Sequence, residues 1–528
     1  MKKILLIGII GLLLQSCLYE DKGNYDYDYL PEFVINGVDE DYGEKLLAQD
    51  SLVICPEIVF TGESEDVYEY AWYKKVNKEL KLLGEHKVLK YLPDDVGVHN
   101  FRFLVKHKPT GLTCWADTRC NVYSETERGF YILKQTKEGN TELDAFWHKA
   151  DGRYVSFENV LTNFTKIGAL EGHPLCLDYN KFRYDNQERD TLEVRNALFV
   201  VTPKDIAVLD LVSLQSLCSY EDLFNEVMPE KDQRKIQGLY SLESTTVLIY
   251  EGEDGKHRVR TRQADKHTTF GFEFEGGDPH MFPMGCKSVV SSFIFYNREK
   301  GDFLLVNGSS SRYKVVNQTI DDKYHLFGKL PMMAVDCDLL FGGQSDGQVG
   351  FSDRENIGYA LFQKRNATDS LLFYWFAPKE AISSVYTPLY KIDTLSAKNL
   401  AMAKATYRTI HQDGGIMYFA SGNTVSRYDL RDKKEKYGVL TVSGEITWMK
   451  YLRNDYTDKP LRFSSLLIAT YDAATDSYTL GLYGIDSSGN PLPTPEVELK
   501  GSGRVKTAKY VVPVNLAGKQ FFPNYYYY

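Results

Sequence analysis

The residues of this chain whose types and spacing bear on chemistry are few, and most fail the pattern that the chemistry requires. Its ten histidines are scattered and form no His-Glu-x-x-His pair, so the helical zinc-hydrolase arrangement is absent. The most loop-like is His280, ending Gly276-Gly277-Asp278-Pro279-His280, and it reads as an ordinary turn residue. No Gly-x-Ser-x-Gly nucleophile elbow occurs, and Gly501-Ser502-Gly503 is too short to be one. Gly342-Gly343-Gln344-Ser345-Asp346-Gly347 lacks the Lys-Ser/Thr of a phosphate loop and reads as a connector between repeated units. The stretch Asp472 to Asp476 lacks the glycine and distant glutamate of a calcium loop. Glu273 with Glu275, and Asp336 with Asp338, would share strand faces. Glycosidases use two carboxylates roughly 5 to 9.5 Å apart, but solvated strand faces carry such pairs as well. On this reading no catalytic residue, no metal site and no cofactor is expected.

One thiol stands apart. Lys2 and Lys3 precede an apolar run from Ile4 to Leu14, too short to span a bilayer but of signal-peptide length, and Gln15-Ser16-Cys17 follows. Leu14-Gln15-Ser16-Cys17 resembles a lipobox, in which residues 1–16 are removed and Cys17 carries acyl chains on its sulfur and amino group. The alternatives are an ordinary secretory signal and an uncleaved anchor. At about 0.8 kcal/mol per buried methylene, two or three acyl chains give tens of kcal/mol of membrane affinity. Residues 17–30 then form an acidic, tyrosine-rich tether. Its Glu20 and Asp21 resemble the acidic signal that exports some lipoproteins to the outer face of the outer membrane; the alternative is a solvated spacer. From Leu18 to Leu30 the extended chain reaches roughly 45 Å.

The balance of 62 bases against 72 acids, a net charge of −10, excludes the basic footprint that nucleic-acid binding needs. No second apolar run approaches transmembrane length. Besides Cys17 the cysteines are Cys55, Cys114, Cys120, Cys176, Cys218, Cys286 and Cys337. The number is odd and the spacing irregular, which favours buried, unpaired thiols; a bridge from Cys55 to Cys114 or Cys120 is the alternative.

The elements that must position any site are strands. With 38 Tyr, 28 Phe and 40 Gly, and β-branched runs cut by Gly, Asn and Asp turns, the chain reads as all-β. Residues 31–124 predict an immunoglobulin-like sandwich with strands at Phe33 to Ile35, Leu52 to Phe60, Tyr68 to Lys74, Val88 to Lys90, Asn100 to His107 and Cys114 to Tyr123, and Trp72 in the core. Over 125–518 a hairpin recurs seven times, at Phe130 to Phe146, Ala197 to Leu211, Val247 to Val259, Ser292 to Val306, Tyr359 to Phe376, Ile416 to Asp429 and Leu466 to Ile485. Such recurrence predicts a seven-bladed β-propeller, closed by Val505 to Val512 pairing near the first blade; two stacked sandwiches are the structural alternative. Residues 519–528 read as an exposed tail. Trp147, Trp375, Trp448 and Tyr451 lie in or near these strands, where aromatic rings either fill the core or offer a ligand platform.

The stretch Asp21-Lys22-Gly23-Asn24-Tyr25-Asp26-Tyr27 behind Cys17, the Trp72-bearing sandwich, Gly129-Phe130-Tyr131-Ile132-Leu133-Lys134 and Tyr418-Phe419-Ala420-Ser421-Gly422-Asn423 with Arg427-Tyr428-Asp429 resemble the PKD-like family of bacterial surface lipoproteins. The likeness extends over nearly the whole chain. It implies a PKD/Ig-like domain, a propeller-like remainder and a surface accessory of a TonB-dependent channel and its lid lipoprotein, binding or presenting a nutrient glycan or peptide. It supplies no ligand residues. An enzyme acting on a glycan or peptide, and a purely structural docking subunit, are the alternatives, since propellers host all three roles.

Overall fold

The computed structural model describes residues 33–512, apart from 61–63, 77–78, 150, 187–190, 243–244, 265, 275, 287–291, 308–313, 316–333, 346–356, 377–388, 412–414 and 455–461. The chain divides into two compact units, 1–122 and 123–528. Both are built from antiparallel strands, and the α-helical segments among the described residues are single turns such as Val160–Phe164 and Ala401–Lys404. None is long and apolar enough to cross a membrane.

In the first unit a five-stranded sheet orders Asp41–Leu46, Thr113–Tyr123, Gly97–His107, Tyr68–Val76 and Glu79–Gly84. Two short ladders, Phe33–Asn36 with Glu57–Phe60 and Leu52–Ile54 with Leu89–Tyr91, complete it. Alternation along the central strands sends Trp72, Phe101, Phe103 and Val105 into one core with Leu52, Ile54 and Cys120. The indole Nε1 of Trp72 donates to the Lys87 carbonyl at 3.0 Å, so the buried ring keeps its one polar group satisfied.

The second unit is a propeller-like succession of seven sheets, six of them four-stranded among the described residues. Each predicted hairpin is one strand pair of one sheet, the middle pair in the six four-stranded sheets. In chain order these pairs are Gly129–Gln135 with Thr141–His148, Thr191–Val201 with Ile206–Asp210, and Thr245–Glu251 with His257–Gln263. Then come Ser292–Asn297 with Phe303–Asn307, Ile357–Lys364 with Ala367–Phe376, Ile416–Ser421 with Thr424–Asp429, and Phe463–Asp472 with Ser477–Tyr483.

Each of the last six sheets also has a leading strand: Cys176–Asn186, Ile236–Leu242, Pro279–Cys286, Cys337–Ser345, Tyr407–Ile410 and Glu445–Asn454. In the first sheet that place is taken by Arg504–Val511, which pairs antiparallel with Gly129–Gln135 and brings the end of the chain to its first hairpin. Several leading strands touch: Arg504–Val511 meets both Cys176–Asn186 and Glu445–Asn454, and Pro279–Cys286 meets Cys337–Ser345. Gly129 makes the first hairpin's close start possible. Its φ of +141° suits glycine alone, and a Cβ there would collide with the Phe146 carbonyl.

Two readings of local sequence need correction. Gly342 to Ser345 lie inside the leading strand Cys337–Ser345 rather than in a connector. There the missing side chains leave room for a small cavity of about 190 Å³ shared with Thr409, Met449 and Lys450 of the next two leading strands. Asp336 and Asp338 do not share a strand face, because Asp336 turns at φ +55° before the strand begins.

Candidate functional site

The third sheet of the second unit carries a wide concave site. Its strand His257–Gln263 reads HRVRTRQ, so alternation sends Arg258, Arg260 and Arg262 to one face. Arg262 is fully buried; its guanidinium lies 4.3 Å from the Phe182 ring centre and donates to the Ala264 and His267 carbonyls. That arginine is structural.

Arg258 and Arg260 instead line a cleft of about 820 Å³ together with Tyr220, Tyr250, Glu226 and Glu273. Cross-strand pairing sets Tyr250 opposite Arg258. Arg258 bonds Asp254 at 2.6 Å and Glu273 at 3.1 Å. Arg260 Nε donates to Tyr250 Oη at 2.9 Å and its guanidinium pairs with Glu226. Burial works against the charge of Arg260, yet Tyr250 and Glu226 beside it hold its pKa above the ordinary arginine value. Tyr250 in turn donates to Glu273, and burial followed by that carboxylate pushes its phenol pKa well up. On the other wall the Arg234 guanidinium stacks 3.8 Å from the Tyr220 ring centre and bonds Glu221, and burial pushes the Tyr220 phenol up to about 12.

The cleft therefore combines one half-buried phenol, Tyr250, with a pre-ordered guanidinium and carboxylate lattice, while Tyr220 is buried beneath Arg234. Its wall carries five carboxylates against four bases, a balance unsuited to a polyanion. Among the described residues no Ser, Thr, Cys or His lines it. Its two central glutamates, Glu226 and Glu273, each face a guanidinium. Val227, fully exposed, lines the cleft, and Phe272, 82% exposed, neighbours Glu273.

The residues singled out in the sequence fall elsewhere. Cys17, Glu20 and Asp21 lie outside the described residues, as do Glu275 and the tail. Trp375, Trp448 and Tyr451 are buried between sheets, and Trp147 packs on Phe157, so these rings are core and not platform. Cys55, Cys114, Cys120, Cys176, Cys218 and Cys337 are all unpaired, and Cys55 forms no bridge. Burial pushes the Cys120 thiol up to about 11, which leaves it inert. The cleft itself was missed, although arginine at every second position from 258 to 262 was a visible signal. His280 is no simple turn residue: it begins a leading strand beside Asp278 and His257.

A family model described as the PKD-like family matches residues 17–174, so the chain carries a PKD-like domain there; the motifs at 418–429 lie beyond that match. No curated protein matches the chain. Among solved structures, a protein described as quinonprotein alcohol dehydrogenase-like, from Bacteroides thetaiotaomicron VPI-5482, aligns over 91% of this chain and 99% of its own. The identity is 11% and the TM-score 0.39.

Proposed function

We propose that this chain is a non-enzymatic lipoprotein held by acyl chains on Cys17 at the outer face of the outer membrane. There it captures a glycan or peptide and presents it to a TonB-dependent channel and its lid. Residues 31–124 act as spacer, and the second unit is a seven-bladed propeller whose seven sheets are blades and whose strand Arg504–Val511 closes the ring.

The observation that carries the binding role is the cleft at Tyr220, Tyr250, Arg258 and Arg260. The half-buried Tyr250 ring packs on a sugar or side-chain face while fixed guanidinium and carboxylate groups take hydroxyls and amides. Because those charged groups are already paired and ordered, little side-chain entropy is lost on binding.

The test is a screen of the purified acyl-free chain against oligosaccharide and peptide libraries, followed by calorimetry on Tyr250→Ala and Arg258→Ala. Loss of binding in both variants supports the cleft. Binding unchanged in both moves the contact to another face, and no ligand at all, with a channel co-purifying from native membranes, leaves docking as the role. Cys17→Ser, followed by membrane fractionation and protease treatment of whole cells, tests anchoring and orientation separately.

A further inference from the structure

We propose that His257, Asp278 and His280 form a binding site for one divalent cation of the zinc class, placed where the third sheet of the second unit meets the fourth.

The three side chains come from two strands that the chain turns back to join. His257 opens the strand His257–Gln263, and His280 is the second residue of Pro279–Cys286. Between them Gly276 and Gly277 adopt φ of +83° and +76°, a left-handed pair that glycine enters without strain. That turn carries Asp278 back to His257, whose backbone N–H donates to Asp278 Oδ1 at 2.9 Å. Asn297, itself buried, accepts from the Asp278 backbone N–H at 3.1 Å and donates to Asp302 at 2.6 Å. Backbone and neighbours thus fix the carboxylate before any ion arrives, the outer-shell support that metal ligands usually have.

The donor atoms converge. One ligand atom from each of the three lies within 4.8 Å of the others. Asp278 Oδ2 is 3.1 Å from His280 Nε2, and the two imidazole rings are 4.3 Å apart at 38°. Ordinary pairing satisfies only part of this group: His257 Nδ1 is buried with no hydrogen-bond partner among the described residues. A buried ring nitrogen beside a second imidazole and a carboxylate is an incomplete hydrogen-bond network but a complete three-ligand set. Two imidazoles and one carboxylate suit a borderline cation such as zinc, whereas calcium and magnesium seek more oxygen ligands. A tetrahedral ion held by three protein atoms keeps a fourth position for water. The adjacent Arg258 points into the cleft, and its Nη1 donates to the His257 and Gly277 carbonyls at 3.4 Å, so the site and the cleft share one edge.

The experiment uses the full chain purified without a histidine tag, stripped with chelator and dialysed against zinc chloride. We expect about one zinc per chain by elemental analysis and a melting temperature raised by zinc. Both effects should vanish in His257→Gln and in His280→Gln, and the stripped variants should keep the circular dichroism of the stripped parent. Cobalt in place of zinc should show a nitrogen and oxygen ligand spectrum without thiolate charge transfer, which separates the site from the exposed Cys55. Asp278→Asn provides a second variant if either histidine change disturbs folding. No stoichiometric zinc in the parent, or zinc retained by folded variants, overturns the proposal.

Discussion

Lys134 and Asp144 form an ion pair at 2.7 Å with side chains 1% and 0% exposed, inside the first hairpin of the second unit. The same carboxylate accepts from Tyr478 Oη at 2.7 Å, across from the seventh sheet, and from the Asn159 backbone N–H at 2.8 Å. One buried charge therefore joins the start of the unit to its end. Removing one partner of such a pair strands the other, at a cost of about 3 to 5 kcal/mol. Asp144→Ala should lose that much in urea denaturation, and Lys134→Met with Asp144→Leu should recover most of it. A loss below about 1 kcal/mol for Asp144→Ala, the range of surface changes, would mean water reaches the pair.

Trp72 tests the first unit alone. Its ring is 1% exposed, packs 4.8 Å from Phe103 between centroids and satisfies its own N–H. Trp72→Ala should destabilise by about 3 to 5 kcal/mol. Followed by hydrogen exchange, residues 68–107 should lose protection while the strands of the second unit keep theirs.

Removing residues 504–528 deletes the strand that pairs with Gly129–Gln135 and carries buried Val505, Ala508, Tyr510 and Val511. Phe130 and Ile132 then lose their cover, and a hydrophobic strand edge opens. The truncated chain should show a broadened, low-temperature transition for the second unit and aggregate on concentration, both read by calorimetry and light scattering. Cooperative unfolding at the parent temperature would show that the closing strand is dispensable.

The repeated hairpins were legible in the sequence because two short apolar runs, buried on both faces, flank a Gly, Asn or Asp turn. Val247 to Val259, turning at Gly252 to Gly255, is an example. The leading strands were not. Four of them slip register against their neighbour, between Ile236 and Gly238, Met281 and Met284, Leu339 and Phe341, and Ile446 and Trp448. A bulge breaks the alternation that sequence reading depends on. Trp72 was legible as core because a large apolar ring stands in the aromatic run Tyr70-Ala71-Trp72-Tyr73 of a central strand. The triad of His257, Asp278 and His280 was not, since its ligands meet only after a turn closes between two sheets.

His148 sets an acid sensitivity in the second unit. It is 7% exposed, shares a hydrogen bond of 2.8 Å with Tyr510 Oη and stacks on Tyr154 at 4.1 Å. Burial first, and then the nearby Arg128 charge, lower its pKa from the ordinary 6.5 to about 4. The folded state thus holds a neutral imidazole where the unfolded chain would already take a proton. Its stabilising contribution is complete above pH 6.5 and is lost as pH falls toward about 4, with no further loss below that. Between pH 7 and pH 5 the loss from this group should be about 2 kcal/mol. His99 in the first unit is lowered to about 4 as well, chiefly by burial, so the two units must be followed separately. Denaturation of His148→Phe at both pH values, read from second-unit signals, should show a pH slope smaller by that amount. An unchanged slope would assign the acid sensitivity to other groups.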